Sequence, residues 1–248
     1  MSAALSDPAA TARRALSLLD LTDLSDACTA SAVDALCRDA RESGVAAVCV
    51  WPQYVSQCGR GLAGSPVRIA TVVNFPAGGE DVERTLDDAR EAVADGAHEI
   101  DLVLPYRAFL RGDEGVARDM VEAVRDICAR TVLKVILETG ALESPERIAA
   151  AGRLALSAGA DFLKTSTGKS PVSATPQAAE ALLGVLRGHE GRPAGLKVSG
   201  GLRTLADAAT YLDLADKLMG PGWVGPKTFR LGASSLFSVL RDAAGAGA

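Results

Sequence analysis

Short apolar runs alternate with amphipathic stretches along the whole chain, and this rhythm constrains the fold more than any other feature. Eight runs rich in Val, Ile and Leu stand out: Leu18 to Leu21, Val45 to Trp51, Val67 to Asn74, His98 to Leu104, Val132 to Glu138, Ala160 to Ser166, Ala194 to Ser199 and Thr228 to Leu231. Runs of this kind suit strands buried on both faces, the habit of parallel sheets covered by helices. Between them, Val82, Leu86, Ala89 and Val93 recur at helical spacing and predict a helix that lays this face on the sheet. Ser144-Pro145 and Thr175-Pro176 predict helix starts, because a hydroxyl caps free amides and Pro tolerates the first helical position. Gly44, Gly96 and Gly159 each precede a run, where a helix end takes a left-handed residue.

Eight β-then-α units in 248 residues predict an α/β fold, a closed (β/α)8 TIM barrel. The expected organisation is one domain over residues 1–248, with a short N-terminal helix, a core at about 16–242 and a frayed Ala/Gly tail at 243–248. A doubly wound open sheet is the alternative. The strand count disfavours it, and the G-x-G-x-x-G turn of dinucleotide-binding sheets is read as missing.

The net charge of −5 disfavours a polyanion-binding surface, so no nucleic-acid partner is expected. Five cysteines, odd in number and without a C-x-x-C pair, fit reduced thiols in a cytoplasm. The N-terminus lacks an apolar signal core and no stretch reaches the ~20 apolar residues of a membrane span, so no membrane partner is expected. With only His98 and His189 present, a His-based metal site is disfavoured, while a carboxylate site stays open.

Chemistry is signalled by charges that interrupt apolar strands: Asp101 in HEIDLVLP, Lys134 and Glu138 in LKVILETG, Lys164 in DFLKTSTGK, and Lys197 in GLKVSGG. Isolated burial of a charge costs several kcal/mol, roughly, so each needs a partner or a shifted pKa. A single strand lysine is as easily a structural ion pair; several converging ones favour a site. Lys164 and Lys197 end neighbouring strands, where a second cation and desolvation lower an amine's pKa and make it nucleophilic. Asp101, aimed inward with Val103 by period-two alternation, would move protons directly or through Lys197 or a water. Lys134 and Glu138 are expected to pair with each other at the barrel floor. Cys49, Tyr54 and Tyr106 read as packing residues, His98 and His189 show no partner arrangement, and the acidic run Glu80 to Asp95 reads as a solvated helix face.

Three Gly-rich turns follow strands: Gly168-Lys169, Gly200-Gly201-Leu202-Arg203 and Gly232-Ala233-Ser234-Ser235. Each alone is an ordinary βα turn. Together they suggest a phosphate cup built from backbone amides, helix N-termini and polar side chains.

LDLTDL, EIDLVLPY, LKVILETG, ADFLKTSTGK, GLKVSGGLRT and FRLGASS resemble, in order and over nearly the whole chain, the motifs of deoxyribose-phosphate aldolases. The resemblance implies reversible, metal-independent cleavage of 2-deoxy-D-ribose 5-phosphate to acetaldehyde and D-glyceraldehyde 3-phosphate in deoxyribonucleotide catabolism, with no cofactor. Lys164 would form the Schiff base, Lys197 would activate it, and Asp101 would relay protons. Cleavage is expected between the third and fourth carbons. Asp20 and Thr22 resemble residues that contact substrate hydroxyls. Thr167, Gly168, Lys169, Gly200, Gly201, Arg203, Gly232, Ser234 and Ser235 match substrate-binding positions, chiefly the phosphate region. The expected partners are a phosphosugar, acetaldehyde and a second copy in a homodimer. The chain departs from some members in lacking a C-terminal Tyr, which leaves the proton shuttle open. An aldolase for another sugar and a silent phosphosugar sensor remain as alternatives.

Overall fold

The computed structural model describes residues 7–245. Eight strands, β1 (Leu19–Asp23), β2 (Ala47–Val50), β3 (Arg68–Val73), β4 (Glu99–Val103), β5 (Val132–Ile136), β6 (Phe162–Lys164), β7 (Gly195–Ser199) and β8 (Phe229–Ala233), pair in parallel with their chain neighbours. β8 pairs back onto β1, which closes the barrel. A helix follows every strand, the principal ones being Ala30–Ser43, Val55–Gly61, Val82–Ala94, Glu114–Ile127, Pro145–Ser157, Pro176–Arg187, Leu205–Met219 and Leu236–Gly245. The expected N-terminal helix is Pro8–Ser17; it packs on the last two of these, with Arg14 bonded to Asp216 at 2.6 Å.

Local chemistry explains the helix starts. Ser144 and Thr175 accept the amides of Arg147 and Ala178, and Thr204 forms a reciprocal capping box with Asp207. The helix Val82–Ala94 buries Thr85, Ala89 and Ala92, with Val82, Leu86 and Val93 only partly covered, so its face is rotated from the aliphatic stripe expected. The small side chains at its centre let the helix approach the sheet closely.

Several boundaries differ from the sequence expectation. β1 and β8 run two residues further, to Asp23 and Ala233, because the backbone ladder does not require apolar side chains. β6 is three residues long, since the Ala160 amide is still bonded to the Ala155 carbonyl at the preceding helix end. Residues 243–245 continue the last helix rather than fray, and 246–248 lie outside the described residues. The sequence does contain a G-x-G-x-x-G string, Gly59 to Gly64, contrary to the reading above. It closes the helix Val55–Gly61 and leads into β3, the reverse of the strand-to-helix order that dinucleotide binding needs.

Most of the apolar core lies between the sheet and its helices. Inside the barrel, Leu24, Cys49, Ala70 and Val72 form a small separate cluster, and the rest is largely ionic. Lys134 and Lys197 are the two largest fully buried side chains among the described residues. Among those residues no helix is long and apolar enough to cross a membrane.

Candidate active site

Register places the charges. β4 pairs Asp101 with Lys134 of β5, and β6 pairs Lys164 with Lys197 of β7, while Arg230 of β8 lies beside Lys197. Seven ionisable side chains thereby meet inside the barrel, all at most 5% exposed: Asp20, Glu99, Asp101, Lys134, Lys164, Lys197 and Arg230.

The upper tier centres on Asp101. Its Oδ2 accepts from Lys164 Nζ at 2.7 Å and from Lys197 Nζ at 2.8 Å, and its Oδ1 accepts from Lys134 Nζ at 2.9 Å. Lys197 also reaches Asp20 Oδ2 at 2.6 Å. Below, Arg230 bonds Asp20 Oδ1 at 2.5 Å and Glu99 Oε1 at 2.9 Å, and Lys134 reaches Glu99 Oε2 at 2.5 Å.

These contacts separate the lysines. Burial pushes Lys197 down, but Asp101 and Asp20 outweigh it and hold the ammonium well above the usual lysine range. Lys134 is likewise raised, burial being outweighed by Asp101 and Glu99. Lys164 moves the other way: burial lowers it, Asp101 opposes, and Lys197 adds to the lowering. A 2.7 Å ion pair would ordinarily favour the protonated amine. Here burial wins because Lys164 shares Asp101 with two other lysines, both held as ammonium ions. Burial raises Asp101 and Asp20, yet the surrounding cations hold both below the usual carboxylate range.

Above Lys164 and Lys197 opens a cavity of about 780 Å³ at the carboxyl ends of the strands. Its wall includes Thr22, Thr167, Gly168, Lys169, Gly200, Gly201, Arg203, Gly232, Ser234 and Ser235, so all three glycine turns converge on one space. Gly200 adopts φ +88°, and a Cβ there would come within 2.7 Å of Ser173. A Cβ at Gly232 would lie 2.9 Å from Lys197 Cε, so glycine is what lets β8 pass the lysine.

Residues 14–235 match the profile of DeoC/LacD family aldolases. This chain belongs to the DeoC/LacD aldolase family. A deoxyribose-phosphate aldolase from Agrobacterium fabrum is 46% identical over 99% of this chain and 96% of its own length. A crystal structure from Toxoplasma gondii ME49 superposes with TM-score 0.89 at 27% identity, covering 96% of this chain and 95% of that one. The tetrameric deoxyribose phosphate aldolase of Aeropyrum pernix superposes with TM-score 0.78 at 26% identity, covering 96% and 92%.

Two placements in this aldolase differ from what the sequence suggests. Asp20 is not on the cavity wall: it is fully buried, with its carboxylate 2.6 Å from Lys197 and 2.5 Å from Arg230. Thr22 does line the cavity, with its hydroxyl donated to the Asp20 carbonyl at 2.8 Å. Lys134 and Glu138 are not paired. Lys134 turns to Asp101 and Glu99, while Glu138, at φ +55° just past β5, accepts the Thr167 hydroxyl at 2.6 Å. Asp101 lies under the cavity rather than on its surface.

Glu99 and Arg230 were missed. The signal was present, since Glu99 stands two residues before Asp101 and Arg230 two before Gly232, the spacing that keeps side chains on one strand face. Cys49 is buried against Ala70 and Val72, and Tyr54 donates its hydroxyl to the Cys28 carbonyl at 3.1 Å, as suits packing roles. His98 does have a partner: Nδ1 accepts the Ile69 amide at 3.1 Å.

Proposed function

We propose that this aldolase cleaves 2-deoxy-D-ribose 5-phosphate reversibly to acetaldehyde and D-glyceraldehyde 3-phosphate through a Schiff base on Lys164. One observation carries the reading: the lysine with the lowered pKa is the one on the cavity floor, 2.7 Å from a carboxylate and beside a second lysine.

The neutral Lys164 amine adds to the C1 aldehyde, and loss of water gives a protonated imine. The C3 hydroxyl then gives up its proton while the C2–C3 bonding electrons flow into the iminium, releasing glyceraldehyde 3-phosphate and leaving an enamine. Protonation at C2 and hydrolysis free acetaldehyde and restore the amine. Carbon count corrects the bond expected from sequence: a two-carbon product requires scission between C2 and C3. Lys197, held protonated, shares Asp101 Oδ2 with the amine and serves as the proton donor, and ionised Asp101 returns protons through it or through a water. Because the iminium is the electron sink, turnover is expected to persist in EDTA.

The three glycine turns with Lys169, Arg203, Ser234 and Ser235 are the proposed phosphate cup. Anchoring the far end of the substrate holds its aldehyde against Lys164 and converts affinity into orientation. Unphosphorylated 2-deoxyribose should therefore show kcat/KM lower by about a hundredfold, the scale of two lost charge-assisted hydrogen bonds. Equal kcat/KM for the two sugars in a coupled acetaldehyde assay would remove the phosphate assignment. Single-domain organisation, cytoplasmic location and homodimer assembly belong to the same reading; all five cysteines are free thiols, and light scattering tests the dimer mass.

A further inference from the structure

We infer that Lys134 is a positioning residue that keeps Lys164 unprotonated by occupying the second oxygen of Asp101. The inference rests on Lys164 being the reactive amine.

Charge balance in the buried interior decides which base is neutral. Three carboxylates, Asp20, Glu99 and Asp101, face four bases, Lys134, Lys164, Lys197 and Arg230, and all seven side chains are buried. An unmatched charge in such an interior is costly, and a buried group sheds it by changing protonation. Contacts decide which base does so. Lys134 lies 2.5 Å from Glu99, 2.9 Å from Asp101 and 3.7 Å from Asp20. Lys197 touches Asp20 and Asp101, and Arg230 touches Asp20 and Glu99. Lys164 has a single carboxylate oxygen, and it shares that oxygen with Lys197. It is the base with the weakest claim to a proton.

Lys134 creates that condition. By taking Asp101 Oδ1 it leaves only Oδ2 for the two lysines above. It also supplies the fourth base that puts cations in excess. Without it, three bases would face three carboxylates, both oxygens of Asp101 would be open, and Lys164 would hold its proton. The other elements around Lys164 do not supply a substitute. β2 contributes Cys49, whose thiol burial pushes up, β3 contributes Ala70 and Val72, and the remaining charges are the five already paired below and beside it.

The test uses three variants: Lys134→Met, Glu99→Gln, and the double variant. The readout is the pH dependence of acetaldehyde trapping by borohydride, with the adduct mapped by mass. Lys134→Met should move the acid limb up by about one pH unit, the scale of one neighbouring charge, so trapping at pH 6 falls about tenfold while the alkaline plateau stays close to wild type. The double variant again has one excess base but leaves Asp101 Oδ1 open, so its limb should lie between that of Lys134→Met and that of the wild type. Damage from lost packing would instead accumulate in the double variant. If Lys134→Met is not recovered, Glu99→Gln against the double variant makes the same comparison, and the limb should again lie higher where Lys134 is absent. An unmoved limb in either background, or a double variant without recovery, overturns the role of Lys134. An adduct mapping away from Lys164 in the wild type would instead overturn the Schiff-base reading.

Discussion

Lys164→Met is expected to lower cleavage of 2-deoxyribose 5-phosphate by about 10⁴-fold or more, the scale on which loss of a covalent nucleophile acts, while leaving the melting temperature near that of the wild type. Methionine is close to lysine in length and uncharged. The substitution removes the amine but leaves Asp101 paired with Lys134 and Lys197. The interior then holds three carboxylates against three cations, the same balance as with a neutral Lys164, so nothing buried is stranded. Lys197 does not replace the lost nucleophile, because Asp101 and Asp20 hold it as an ammonium ion. Calorimetry beside the activity assay separates the outcomes. Substantial residual cleavage would displace Lys164 from its role, and a large loss of stability would mean that Lys164 rests as a cation.

Arg230→Met should do the reverse, damaging stability more than chemistry. Arg230 is 5% exposed, bonds Asp20 at 2.5 Å and Glu99 at 2.9 Å, and donates Nε to the Pro226 carbonyl at 2.5 Å. Removing one partner from a buried ion network leaves carboxylates without compensation and costs about 3–5 kcal/mol. For a domain of this size that is a drop of about 10 °C in Tm. The folded fraction should also trap acetaldehyde with its acid limb at higher pH, since one cation has gone. The exposed pair Arg90 and Asp87 is the internal control: its removal should cost below about 1 kcal/mol. If both substitutions shifted Tm equally, the network would not be a major stabilising element.

A strand taken alone reveals its anomalous charges but not the partners those charges meet. Lys164, Lys197 and Asp101 were legible because charge inside an apolar run is anomalous on its own strand. The glycine turns were legible as a set because they recur at the same point of the β-then-α unit. Partner choice was not legible. Lys134 and Glu138 share a strand face by period two, but residues four apart along a strand are separated by about 13 Å. Asp101 is the register neighbour of Lys134 on the adjacent strand and is far nearer. Glu138 had also left the ladder, since β5 ends at Ile136 and the backbone turns left-handed. Depth was hidden for a similar reason. Alternation says that Asp20 points inward, but only the stagger of a closed barrel brings it against Lys197 and off the cavity wall. Glu99 and Arg230 went unremarked because each looks like a solvated charge until the ring closes and brings them together.

Borohydride trapping of the EDTA-treated protein during turnover of 2-deoxyribose 5-phosphate, followed by peptide mass mapping, bears most directly on the central claim. A reduced two-carbon adduct on Lys164, and on no other lysine, is the predicted result, because it requires both imine formation at that amine and scission between C2 and C3. Continued release of acetaldehyde without any lysine adduct, or an adduct on Lys197 or Lys134 in place of Lys164, would contradict it.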